Sequence, residues 1–286
     1  MCKFEGNSNG FKIISENKAG IKGGLRLSYA TLGAFTKYPR KSILNKKSNH
    51  IKDKKFGFFH SQNSFFDEVA NELGMIDSNG SYMRHPLAFL VEAADDICYT
   101  LIDFEDGINL GWISEEYALE FLIRLVKDSI DTKKYNSLKH KTDRVAYLRA
   151  LSINTLINDT VKIFLKNEDK ILNGEFTKTL LSESVFKAQM EDIIDISVKK
   201  VYNSKEVIEK ELKGYQVIHK LLSVFIKAAV NNQSDNTTAL DDLVLASLPK
   251  TYIHKEGDLY NQLLDISCFV ASLTDGNALE WYNKIS

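Results

Sequence analysis

The sequence predicts an all-α protein, and three observations carry that expectation. Only three prolines, Pro39, Pro86 and Pro249, interrupt 286 residues, so helix breakers are scarce. Apolar residues recur at three- and four-residue spacing through 86–106, 116–129, 143–167, 184–201, 205–230 and 258–284, the period of a helix that buries a stripe. Strand-like alternation is nearly absent from these segments. Asn79-Gly80 and Asp106-Gly107 fall between helical stretches and are expected as turns or helix ends.

Composition narrows the class. Hydrophobic residues make up 44% and charged residues 26% of the chain, the balance of a soluble globular protein with a sizeable core. The net charge of −1 gives the whole molecule no strong pull on nucleic acid or membrane, so anion binding has to come from a local basic cluster. Cys2, Cys98 and Cys268 form no CxxC pair, which argues against a disulfide framework or a thiolate zinc site and fits a reducing cytoplasm. No charged start followed by an apolar run suggests a signal peptide, and no apolar run approaches the ~20 residues of a membrane span. A cytoplasmic protein is expected, with 1–286 forming a single all-α domain.

Within it, 41–64 is expected as a long loop over the surface. It is basic at first (Lys46, Lys47, Lys52, Lys54, Lys55) and then aromatic (Phe56, Phe58, Phe59). Loops of that length inside a compact domain are usually functional or disordered. Residues 231–240 are expected as a polar connection between two helices. There is no internal repeat.

The most informative segment runs from Arg84-His85-Pro86 to Asp106-Gly107. Pro86 suits the first turn of a helix, and Gly107 suits its far end. Between them most positions are apolar on all sides, which predicts a buried helix. Glu92, Asp95, Asp96, Tyr99 and Asp103 are set into it. Asp95, Tyr99 and Asp103 stand at i, i+4 and i+8, a row that drifts only ~40° per step and so lines one face. Two carboxylates and a phenol on a buried face need partners: metal ions, sugar hydroxyls and basic side chains on one reading, helix-to-helix salt bridges or caps on the other. Asp96 is a second candidate for any role given to Asp95. Glu105 and Asp106 are expected to be solvated.

The run Arg84-His85-Pro86-Leu87-Ala88-Phe89-Leu90-Val91-Glu92-Ala93-Ala94-Asp95-Asp96-Ile97-Cys98-Tyr99, followed by Asp103-Phe104-Glu105-Asp106, resembles a signature of the dGTP triphosphohydrolase family of HD-domain phosphohydrolases. Other blocks agree in order: Phe4-Glu5-Gly6-Asn7; Leu27-Ser28-Tyr29-Ala30-Thr31-Leu32-Gly33 leading to Lys37-Tyr38-Pro39-Arg40; Lys54-Lys55-Phe56-Gly57-Phe58-Phe59; Glu211-Leu212-Lys213-Gly214-Tyr215; and Ser272-Leu273-Thr274-Asp275. The likeness is to the C-terminal two-thirds of such enzymes. It implies a multi-helix HD-domain-like bundle from which the N-terminal HD-motif helices are missing.

The resemblance also implies a chemistry. Members of the family cleave a deoxynucleoside triphosphate, dGTP favoured, into deoxynucleoside and inorganic triphosphate, with a divalent metal (Mg or Mn) held by two histidines and two aspartates. Of those four ligands the chain matches Asp95. Tyr99 matches a residue that packs on the deoxyribose, and Asp103 one that accepts from the sugar 3′-hydroxyl. Lys37 and Lys55 match lysines that grip the phosphates, whereas Glu211 and, more weakly, Asn7 match nucleotide-pocket residues. On the bland side, the lysines are ordinary solvated loop residues, Glu211 is half of a surface ion pair with Lys210 or Lys213, and His85 is a packing or capping residue.

None of the six histidines precedes an aspartate, so no His-Asp dipeptide exists. In the family the remaining metal ligands and a catalytic His/Glu pair lie before the Phe-Glu-Gly-Asn block, which begins here at Phe4. The expectation is therefore an enzyme incomplete and inactive as this chain alone, completed by a homo-oligomer or an N-terminal fragment. The alternative is a non-catalytic nucleotide-binding or assembly module. A role with single-stranded DNA is a third reading, which the neutral net charge supports little.

Overall fold

A computed structural model describes residues 4–16, 24–42, 54–127, 129–252 and 258–285. The described residues contain α-helices, short 3-10 and π turns and two isolated bridges, with no β-sheet among them. The chain is all-α, as the periodicity predicts. Its contacts cluster into two compact units, Glu5–Ser204 and Lys205–Ser286 together with Met1–Phe4, where the sequence reading expects a single domain over 1–286.

The first unit begins with α1 (Gly6–Ser15), α2 (Tyr29–Phe35) and α3 (Asn63–Glu72). They enclose an aromatic core of Phe11, Leu32, Phe58, Phe66, Val69, Ala70 and Met75. The Phe58 and Phe66 rings stack at 4.2 Å between centroids. Residues 43–53 of the expected 41–64 loop, with Lys46, Lys47 and Lys52, lie outside the described residues. The remainder does not run over the surface. Phe56, Phe58 and Phe59 are buried, and the chain becomes helical at His60. Three aromatic side chains this close together release more free energy inside a core than in a solvated loop.

The central helix α4 (Pro86–Asn109) starts as its sequence suggests. Pro86 occupies the first turn, and His85 caps it by accepting from the Leu87 N–H through Nδ1 at 3.2 Å. The helix does not end at Gly107. It continues to Asn109, and the glycine in the left-handed region is Gly111, at φ +81°. Gly107 is buried because a neighbour needs its space: a Cβ there would meet Val201 Cγ2 at 2.6 Å. Around α4 pack α5 (Glu115–Val126), α7 (Lys141–Lys166) and α9 (Lys187–Ser197), sharing a core that includes Ile97, Leu101, Phe104, Leu122, Leu148, Leu156 and Ile193. The short helices α6 (Thr132–Ser137) and α8 (Glu168–Leu172) flank α7. After α9 a π-helical turn, Val198–Tyr202, completes the unit.

The second unit holds α10 (Lys205–Gln233), α11 (Ala239–Ser247), α12 (Leu259–Ser272) and α13 (Asp275–Ile285) around Leu221, Phe225, Ile266 and Phe269. Thr238 and Asp241 form a capping box that starts α11, so the polar connection shortens to 234–238. The segment expected as one helix over 258–284 is two, because Leu273 is extended and Thr274 starts a new helix. Neither proline nor glycine marks that break.

Candidate functional site

On α4 the row Asp95, Tyr99 and Asp103 does share one face, and the fold gives each member a partner. Lys37 Nζ forms an ion pair with Asp95 Oδ2. The Tyr99 ring stacks on Tyr202, with centroids 6.1 Å apart and planes 28° apart. Tyr202 Oη donates to Asp103 Oδ2 at 2.5 Å. Burial, together with the hydrogen bond to the Asp103 carboxylate, pushes the Tyr202 phenol far above its ordinary pKa, so it stays a donor. Tyr202 was not among the sequence candidates. The π turn that carries it has no recognisable motif, and it reaches α4 only because Gly107 lets Val201 approach.

The helix differs from the sequence expectation in one respect. It is not buried on all sides: Asp95 and Tyr99 are exposed, whereas Glu92, Ile97 and Phe104 are buried. In front of Tyr99 and Tyr202 lies a cavity of about 380 Å³ between α4, α9 and residues 179–182, lined also by Asp96, Ser182, Lys187 and Glu191. Asp95 and Asp96, indistinguishable by spacing, separate here. Asp95 pairs with Lys37, and Asp96 lines the cavity, its carboxyl pushed up by desolvation and then by the Glu92 charge, against the pull of Lys37 and Lys54. Glu105 is not solvated, because Arg149 Nη1 pairs with it at 2.7 Å.

Backbone chemistry explains how the lysines arrive. Lys37 follows α2, where the Thr36 hydroxyl donates to Leu32 O at 2.8 Å and turns the chain. The segment then meets residues 57–58, with Gly57 N–H donating to Arg40 O at 3.1 Å and a parallel bridge between Lys41 and Phe58. A Cβ at Gly57 would stand 2.3 Å from Tyr38 O, so only glycine permits that approach. Lys55, two residues earlier, pairs with Glu5 at 3.7 Å, and Asn7 Nδ2 donates to the same Glu5 Oε1 at 2.7 Å. The Ser8 hydroxyl ties α1 to Phe56 O at 2.9 Å. Asn7 and Lys55 thus meet through Glu5, and Lys37 meets Asp95. Glu211 is exposed on α10 of the second unit.

Beneath Asp95 and Asp96, Arg84 and Glu92 form an ion pair at 2.9 Å with side chains only 4% and 6% exposed, the guanidinium 4.2 Å above the Phe89 ring. Tyr38 sits near this pair, its phenol raised by burial and then by the Glu92 charge.

No group of three or more His, Cys, Asp or Glu side chains among the described residues gathers as metal ligands would. Asp95 is held by a lysine and His85 by its cap. The donors present therefore do not fit a divalent metal by themselves. Cys98, exposed, and Cys268, buried, are in no disulfide among the described residues. No helix among the described residues is long and apolar enough to cross a membrane.

No family model matches the chain. Curated relatives do. A deoxyguanosinetriphosphate triphosphohydrolase-like protein of Synechocystis is 32% identical over 99% of this chain. One of Listeria monocytogenes is 30% identical over 99%. A deoxyguanosinetriphosphate triphosphohydrolase of Cronobacter sakazakii is 28% identical over 100%. This chain spans 64–65% of the length of these relatives. By sequence it is thus homologous along essentially its whole length to the deoxyguanosinetriphosphate triphosphohydrolase family.

Proposed function

We propose that the first unit carries the nucleotide site of a dGTP triphosphohydrolase. A deoxynucleoside triphosphate lies across α4, its sugar against Tyr99 and its 3′-hydroxyl donating to Asp103. Lys37 and Lys55 face the phosphates, whose three to four charges call for point cations. Asn7 borders the site through Glu5. The observation that carries this reading is the single face of α4 that holds a lysine-bound acid, a stacked phenol and a second acid, with the phenol at the edge of a cavity. A phenol against the sugar leaves no room for a 2′-hydroxyl, and the Asp103 oxygen that Tyr202 does not occupy loses its donor when the sugar lacks a 3′-hydroxyl.

Lys37 holds Asp95 where the phosphates would otherwise take it, so nucleotide binding exchanges one partner of the lysine for another. Hydrolysis to deoxynucleoside and inorganic triphosphate needs a divalent metal, Mg or Mn, for which this chain would supply Asp95 and the other donors would come from outside the residues gathered here. In this reading the chain binds dGTP and turns it over only when the remaining third of the family's length, or an oligomeric partner, joins it. The alternative, a non-catalytic nucleotide-binding or assembly module, rests on the same pocket. The exposed acids of α4 give single-stranded DNA no binding surface, which leaves that partner without support.

The test is a thermal shift with dGTP and the other dNTPs, with released triphosphate measured in parallel. Expected is a rise in melting temperature that Lys37→Ala reduces, with no turnover by the chain alone. The absence of a shift with any dNTP removes the nucleotide reading, and turnover by the chain alone removes its incompleteness.

A further inference from the structure

We infer that the second unit carries a binding site for a free α-amino acid with an apolar side chain, in a cavity of about 590 Å³ between α10, α11, the 3-10 turn Lys250–Tyr252 and α12. That volume is in the range of small-molecule sites, which are mostly apolar inside and carry a few polar groups that fix orientation. The floor is apolar: Ala229, Leu248 and Ile266 are buried, and Leu245 and the half-buried Tyr252 complete it. The Tyr252 ring packs on Phe269, with centroids 5.4 Å apart, so the core behind it holds an aromatic face toward the cavity.

Charge sets the class of ligand. Asp242 on α11 and Lys250, two residues beyond the Leu248 cap of that helix, both line the cavity, and neither has an ion-pair partner among the described residues. Asp242 is not used in starting α11, because Thr238 and Asp241 form that capping box. Lys250 arrives beside the cavity because Leu248 is extended, at φ −69° and ψ 145°, and Pro249 cannot continue the helix. A plain carboxylate would meet Lys250 but be repelled by Asp242, and a plain amine would meet Asp242 but be repelled by Lys250. A zwitterion satisfies both, and its apolar side chain covers the floor. The side-chain amides of Asn232 on α10 and Gln262 on α12 line the same cavity, and each can donate to the ligand carboxylate or accept from its ammonium. This site is independent of the nucleotide reading, whose cavity lies in the first unit.

The test is a ligand-observed NMR titration of the full chain with L-phenylalanine, hydrocinnamate and phenethylamine, which share one apolar body and carry both charges, the anion alone or the cation alone. Expected is saturable binding of phenylalanine, with each of the other two weaker by about tenfold, the loss of one charge pair. Asp242→Asn should weaken phenylalanine to the level of hydrocinnamate without weakening hydrocinnamate itself. Lys250→Gln should bring phenylalanine to the level of phenethylamine. Both side chains are exposed, so circular dichroism should show each variant folded. Three ligands of equal affinity would mark a cavity that takes only an apolar body, and overturn the inference. So would the absence of saturable phenylalanine binding, or phenylalanine affinity that either substitution leaves unchanged.

Discussion

Removing Glu92 tests how the platform beneath the site is held. Arg84 and Glu92 are 2.9 Å apart with side chains 4% and 6% exposed. At an effective dielectric of about 20 their gross attraction is about 6 kcal/mol, but each ion has also lost its hydration at a cost of several kcal/mol. Arg84 Nε and Nη1 find no further hydrogen-bond partner, so the pair is not fully satisfied. Glu92→Leu leaves a buried guanidinium with only a long contact to Ala88 O, 3.5 Å, and the Phe89 ring beside it. It should cost about 3–5 kcal/mol, a large share of the 5–15 kcal/mol that holds a typical domain together. Arg84→Met with Glu92→Leu removes both charges and should recover to within about 1–2 kcal/mol of the parent. The assay is urea denaturation followed by far-UV circular dichroism, with the slope held common across the variants. At a slope of about 3 kcal/mol per molar the single substitution should lower the midpoint by about 1–2 M. Glu92→Leu as stable as the double, or a double less stable than Glu92→Leu, would show that the buried pair is not what organises this part of α4.

Three further outcomes are expected. Gly57→Ala should lower the melting temperature by several degrees and abolish the dGTP-dependent shift, because its Cβ drives against Tyr38 O and displaces Lys37 and Lys55 together; Gly6→Ala, where nothing lies within 4 Å, is the matched control. His85 is held below its ordinary pKa by burial and caps α4 as an acceptor. The unfolded chain therefore binds the proton more readily, and the stability from this histidine is lost as pH falls through about 6.5 toward its folded value. The difference in urea midpoint between the parent and His85→Asn should accordingly narrow between pH 7.5 and 5.5, and a constant difference would refute the link. Tyr202→Phe deletes the donor to Asp103, worth about 1.5–3 kcal/mol for a bond to a charged group. It should shrink the preference for dGTP over its 3′-deoxy analogue by about tenfold in titrations of binding, and an unchanged ratio would remove Tyr202 from the positioning of that carboxylate.

Helix existence was legible because periodicity reports directly on which side of a helix leaves water. The i, i+4, i+8 row of Asp95, Tyr99 and Asp103 needed only helical geometry to be seen as one face. Boundaries were less legible. Gly107 reads as a helix end by residue type, yet its lack of a side chain serves the packing of Val201, and the extended residue Leu273 breaks a helix without any breaker residue. The 54–59 segment misled for a different reason: its lysines suggested a surface loop, but the phenylalanines among them decide its position, because burying three rings outweighs leaving the neighbouring amines in solvent. Tyr202 was invisible because its contact with Asp103 spans 99 residues of sequence, and nothing local encodes a partner that distant.

The same limit explains why α4 was expected to be buried on every side. Hydropathy says that a residue gains by leaving water; it does not say which surface receives it. One side of α4 is received by α7 and α9, α2 and the π turn also meet it, and Leu87, Val91 and Ile102 stay exposed. Charge makes the same division. A helix with six acids and no base cannot neutralise itself, so its cations come from elsewhere: Arg84 just before it, Lys37 after α2 and Arg149 on α7. Each of those contacts fixes an acid that the segment alone would leave repelling its neighbours. The site face is therefore a product of tertiary assembly rather than of α4, and a peptide spanning 84–110 should show little helix in water and no affinity for dGTP. Substantial helicity in that peptide by circular dichroism would mean that local propensity, not the cations brought by the fold, sets the geometry of Asp95, Tyr99 and Asp103.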